Sequence, residues 1–173
     1  NPQITKYYAE NNIPEMHKLV FRSSKFSFFL LAVLTMPIII ETEFVLSLWL
    51  VQDPEYAVLF TRLILIVALI DSLSYPLMTA AQATGNIKKY QSVVGSVLML
   101  NVPISYVFLK FGFQPEITLY IAIFVSLTCL FLRLMLLRNM VNFSMQLFVQ
   151  HVLAKGLVIV ALGTLIPIFL SMN

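Results

Sequence analysis

Charged residues are scarce in this 173-residue chain: Asp, Glu, Lys and Arg make up 11% of it, and apolar residues 60%. Soluble domains carry about 25% charged residues. A fold this short leaves much of its surface exposed, so its own core cannot hide that much apolar surface and the excess must face lipid. Cysteine occurs once, at Cys129, which excludes an intrachain disulfide and a cysteine-rich metal site. Inside an apolar run, that thiol reads as a small buried hydrophobe. The two histidines, His17 and His151, stand alone in segments expected at the membrane interface, so no histidine pair is available for a metal. The five glycines, at 85, 95, 112, 156 and 163, form no phosphate-cradling loop. No enzyme motif, cofactor or metal site is expected. A formal charge of +3 is too small to point to nucleic acid. An initiating methionine and a signal-peptide layout are also lacking, and the chain is read as a piece of a longer membrane protein.

What the chain has in abundance is continuous apolar sequence. Five runs are long enough to span a bilayer as helices, which takes about 20 residues each. They cover Ser24 to Thr42, Val58 to Ala81, Ser92 to Phe111, Ile117 to Leu137, and Val152 to Met172. None alternates apolar with polar residues, so spanning helices are expected rather than barrel strands. The basic residues sort by side. Lys6, Lys18, Arg22, Lys25, Lys88, Lys89, Arg133, Arg138 and Lys155 fall at one side of the alternating spans, and Arg62 and Lys110 at the other. The excess marks the cytoplasmic face, placing the N-terminus inside and the end of the fifth run outside.

Residues 1–25 precede the first run. Asn12 can cap a helix with Pro14 in its first turn. Met16, Leu19, Val20 and Ser23 then share one face, while Glu15, Lys18, Arg22 and Lys25 fall on others. That is an amphipathic cytoplasmic helix leading into the first span. The first span contains Pro37 and ends near Thr42, because Glu41 and Glu43 would be costly at mid-membrane. "FVLSLWL" (44–50) is expected as a short helix at the outer interface, with Trp49 in the aromatic belt. Residues 51–56 form the outer turn. Between the second and third runs, "LMTAAQATGNIKKYQ" (77–91) reads as a cytoplasmic bend. Gly85 takes the left-handed cap that ends the second helix, and Lys88 and Lys89 sit at headgroup level.

The second run carries the most informative pattern. Asp71, Ser74, Tyr75, Met78, Thr79 and Gln82 share one helical face. A polar stripe on a spanning helix should face other helices or a water-filled cavity. Asp71 falls near the bilayer centre, where an ionised carboxylate costs about 2.5–3.5 kcal/mol. It reads either as a functional group or as a protonated packing contact. Pro76 should kink the helix and free a backbone carbonyl that Ser72 or Ser74 can help satisfy. Arg62 lies half a turn out of phase with Asp71, near the outer end, placed to snorkel to headgroups or point into a cavity. In the fourth run Thr118, Ala122, Ser126, Cys129 and Arg133 line up as a small-residue packing face with a cation at its cytoplasmic end. Asn101 and Ser105 flank Pro103 in the third run. Gly156, Gly163 and Pro167 in the fifth read as packing and kinks.

The series "NPQITKYYAENNIPEMHKLVFRSSKF", a span, "SLWLVQDPEY", "AAQATGNIKKYQ" and "LNVPISY" resembles the second half of a polysaccharide flippase of the O-antigen type. These belong to the multidrug/oligosaccharidyl-lipid/polysaccharide exporter superfamily. The "AQATGNIKKYQ" bend and the following "NVPISY" are its most specific elements, and the likeness extends over nearly the whole chain. The resemblance implies an all-α membrane fold of twelve or fourteen helices in two lobes around a central cavity, cationic in flippases, that opens alternately to each side. It implies an undecaprenyl-pyrophosphate-linked oligosaccharide as substrate, in a bacterial inner membrane. Residues 1–25 would be a cytoplasmic amphipathic segment, 26–137 the last four helices of the second lobe, and 138–173 a connection with one additional span. The partners implied are membrane lipids, the lipid-linked oligosaccharide, the remaining N-terminal lobe and polysaccharide polymerase machinery. Arginine suits a pyrophosphate headgroup, and rocking repeats suit its transfer. On this reading Arg62 and Arg133 are headgroup candidates and Asp71 an ion-coupling candidate. Ser74, Tyr75, Thr79, Gln82 and Asn101 are cavity-lining candidates, and Gly85, Lys88 and Lys89 form the bend. Two alternatives stand beside it: a multidrug or cation antiporter, for which a single membrane carboxylate argues weakly, and a non-transporting structural subunit. A membrane transferase is disfavoured by the lack of catalytic histidine or paired carboxylates.

Overall fold

A computed structural model describes residues 2–50, 56–154 and 156. Most of the fifth expected span, most of the outer turn, Lys155 and the Trp49 side chain lie outside the described residues. Among the described residues the fold is all-helical, without strands. A short helix α1 (Pro2–Ala9) precedes α2 (Ile13–Ile40), α3 (Thr42–Trp49) and α4 (Ala57–Ala83). Then come α5 (Ile87–Met99), α6 (Asn101–Lys110), α7 (Ile117–Val141), α8 (Met145–Phe148) and a π-turn over Val149–Ala154. Among the described residues four stretches are long and apolar enough to cross a membrane: α2, α4, α5 with α6 together, and α7.

The amphipathic segment and the first span form one uninterrupted helix of 28 residues, α2. No breaker separates them: the charged face of Lys18, Arg22 and Lys25 gives way to Phe26 without a turn residue between. Asn12 caps it as expected, accepting from the Glu15 backbone N–H at 3.4 Å. α1 was not legible from hydropathy. It exists because Ile4, Tyr7 and Tyr8 share a helical face, and that face packs onto α2 and α4 with Ile4 fully buried.

Pairs of contacts fix the packing. Ser24 Oγ donates to Leu73 O at 3.4 Å and Arg62 Nε to Ile39 O at 3.1 Å, so α2 and α4 run antiparallel. Tyr90 meets Arg133 and Val94 meets Cys129, so α5 and α7 are antiparallel too. α4 is the central element, packing broadly on both α2 and α7. Most of the core gathers toward the end that carries the bend and the basic residues: Met16, Val20, Leu77, Ala80, Tyr90, Leu134 and Leu137 are all buried there. α7 ends at Asn142, whose left-handed backbone (φ 52°) turns the chain back. Phe143 and Phe148 then dock on Phe21, with ring centroids 5.0 and 6.0 Å away.

Three prolines test the expected kinks. Pro37 and Pro76 lie inside continuous α2 and α4, and between α5 and α6 Leu100 keeps a helical backbone ahead of Pro103, with Leu100 N–H donating to Ser96 O and Ile104 N–H to Leu100 O. Each proline removes one backbone bond. Pro76 is buried, so neighbouring helices hold α4 in line. Pro103 is exposed, and only 6% of the third span's apolar window is buried, against 22–28% for the others.

Candidate functional site

α4 carries its polar residues on two sides rather than one. Ser74 is buried in the packed side, together with Ser72 and Leu77. Tyr75 is 62% exposed, Gln82 is exposed, and Asp71 and Thr79 are half-buried. The open side of this apolar helix is thus lined by a carboxylate, a phenol, a hydroxyl and an amide that no described helix covers. No hydrogen bond or ion pair reaches the Asp71 carboxylate among the described residues. Thr79 Oγ1 donates to Tyr75 O at 3.1 Å. Ser72 Oγ donates to Leu69 O at 2.7 Å, one turn back, and not to the carbonyl that Pro76 frees.

Arg62 stands at the opposite end of the bundle from the basic cluster, where its neighbours are defined. The last carbonyls of a helix lack partners. In α2 they are satisfied by Thr42 Oγ1, which donates to Ile38 O at 2.6 Å and Ile39 O at 2.9 Å, and by Arg62 Nε. Arg62 Nη2 also lies 3.6 Å from Glu43 Oε1, an exposed pair. Arg62 therefore clamps the ends of α2 and α4 together, and Glu43 has a partner that sequence reading did not find. The signal was present in the topology: two adjacent antiparallel helices bring residues near 43 and 62 to the same end.

Arg133 sits between α7 and α5. Its Nη1 donates to Tyr90 Oη at 3.1 Å, and the guanidinium carbon is 5.9 Å from the Tyr90 ring centroid, a cation–π distance. Its Nε is buried without a partner among the described residues. Ser126 and Cys129, on the same small-residue face, are buried as expected, and Cys129 Sγ contacts Val94 O at 4.0 Å. Tyr90 has no local signal in the sequence, since its role depends on a residue 43 positions away. Asn101 is half-buried and accepts from Ser105 Oγ at 3.4 Å. Gly85 adopts φ +74°, the expected left-handed cap, and Lys88 and Lys89 are exposed beyond it.

The candidates do not converge on one enclosed pocket of the described residues. Arg62 and Arg133 are engaged at helix interfaces, the α4 stripe opens outward, and Asn101 lies on the sparsely packed third span. A cavity of about 370 Å³ at the bend is lined by Tyr8, Asn86, Lys89, Tyr90 and Asn139, and holds none of the α4 stripe. His17 packs edge-on against Phe143 at 5.1 Å, in keeping with a structural role. No group of three or more metal-ligating side chains occurs among the described residues. No family model, curated protein or solved structure matches this chain.

Proposed function

We propose that the chain is part of a membrane transporter that moves an undecaprenyl-pyrophosphate-linked oligosaccharide across a bacterial inner membrane by alternating access. In this reading its N-terminus is cytoplasmic and its helices form part of a second lobe, with a fifth span after the π-turn. The observation that carries it is the open polar side of α4. Asp71, Tyr75, Thr79 and Gln82 lie on the uncovered side of a membrane-length helix. Polar side chains at that depth are costly against lipid, and a second lobe enclosing a wet cavity would meet that demand. Arg133 remains the better headgroup candidate, through its unspent Nε. Arg62 contributes mainly by holding α2 to α4.

The test is complementation of a strain lacking its surface-polysaccharide flippase by the full-length protein. The wild type is expected to restore surface polysaccharide, and Asp71→Asn to abolish most of that restoration at unchanged protein level. Failure of the wild type would overturn the transport reading in favour of a structural subunit. Full activity of Asp71→Asn would remove the coupling role while leaving transport standing.

A further inference from the structure

The functional reading makes no use of the cavity beside the N-terminal half of α2, which has a volume of about 550 Å³. Its wall carries Lys18, Arg22 and Lys25, which at steps of four and three residues occupy one face of α2. Lys18 is held by Glu15 at 2.6 Å. Arg22 and Lys25 have no ion-pair partner among the described residues. The lining also holds Glu15, His151 of the π-turn, and the apolar side chains of Leu19 and Leu147.

Phe26, the residue after Lys25, is 69% exposed and opens the apolar flank of the span. The two unpaired cations thus stand at the border between charged and apolar helix surface, which is the depth of lipid headgroups. We propose that this cavity seats the phosphate of an anionic phospholipid, with Arg22 and Lys25 on the phosphate and the first acyl carbons over Leu19 and Leu147. Arginine grips phosphate through paired donors and lysine adds a point charge. The apolar side chains in the lining, with exposed Phe26 next in sequence to Lys25, favour a lipid over a soluble phosphate ester. The Phe21 ring, also at this cavity, is stacked on Phe143 and is not free to receive a nucleobase. The inference rests on the membrane character of the helices and is independent of transport.

The full-length protein would be reconstituted in phosphatidylcholine nanodiscs carrying a minor share of phosphatidylglycerol, and retained lipid counted by native mass spectrometry. Wild type should retain phosphatidylglycerol preferentially. Arg22→Gln with Lys25→Gln should lower that preference by about tenfold or more beyond the diffuse loss, on the scale of a charge-assisted hydrogen bond to a seated phosphate. Lys6→Gln with Lys88→Gln removes the same charge outside the cavity and measures the diffuse loss alone. Equal losses in the two double variants would mean diffuse attraction to an anionic surface and would overturn the site. A second arm adds inorganic phosphate or glycerol 3-phosphate in pure phosphatidylcholine. Micromolar binding of either, lost with Arg22→Gln and Lys25→Gln, would assign the cavity to a soluble phosphate compound and overturn the lipid. Helix content by circular dichroism controls for folding; if the double variant is unfolded, Lys25→Gln against Lys6→Gln makes the same comparison.

Discussion

At the scale of single residues, the arginines within the apolar bundle separate by what they touch. Arg62 donates to a helix-end carbonyl and lies beside an exposed carboxylate. Arg62→Met leaves Ile39 O to Thr42 alone and should cost about 1–2 kcal/mol, the range for a charged hydrogen bond reduced for a side chain that is 38% exposed. Glu43→Gln should cost under about 1 kcal/mol, because exposed pairs contribute little. Reversible unfolding in mixed detergent would measure both, and a larger loss from Glu43→Gln would contradict the clamp. These partners were not legible in the sequence for a physical reason. Hydropathy and spacing report what a residue's own helix does, whereas Arg62–Glu43 and Arg133–Tyr90 are set by which helices meet. Asn12 and Gly85, whose roles are local, were legible from residue type alone.

At the scale of elements, hydropathy located α4 and α7 to within a few residues, since both are long apolar runs bounded by polar turns. It missed α1, which is too short and polar to register, while the amphipathic helix expected to lead into the first span does so as one continuous α2. It also took the polar stripe of α4 as one face, whereas Ser74 and Tyr75, a hundred degrees apart on the helix, end up inside and outside. Two glycines make opposite predictions about their elements. Gly85 has φ +74°, so Gly85→Ala forces a side chain into the left-handed region and should destabilise by about 1–2 kcal/mol. Gly95 lies within α5, and no atom stands within 4 Å of the place an alanine methyl would take, so Gly95→Ala should stabilise by about 0.4–1 kcal/mol. Thermal unfolding of the two variants should therefore shift in opposite directions; an unchanged or stabilised Gly85→Ala would contradict the cap, and a destabilised Gly95→Ala would contradict the open space at α5.

At the scale of the whole molecule, the helices sort charge to one end. Lys18, Arg22 and Lys25 near the start of α2, Lys88 and Lys89 at the bend, and Arg138 near the end of α7 lie together, with Arg62 and Lys110 at the other end. Cys129 is buried, so its thiol should stay silent and single cysteines can report sidedness. Cysteines in place of Ile87 and Gln114 flank the third span. In intact cells an impermeant thiol reagent should label the Gln114 position at least about tenfold more than the Ile87 position, because the positive end stays inside. Comparable labelling of both would reverse or abolish the orientation on which the transport proposal stands.

The turn around Leu100, just ahead of Pro103, has a mechanical corollary. Tyr90 and Val94 fasten the half of the third span below it, while α6 above it buries no side chain. Lipid bilayers differ in thickness, and a spanning helix answers by tilting or bending at a modest cost per ångström. In this chain the backbone bond that Pro103 removes makes the turn from Met99 to Pro103 the compliant point, so a thicker or thinner bilayer would re-angle α6 there and leave the α2–α4–α7 seams unstrained.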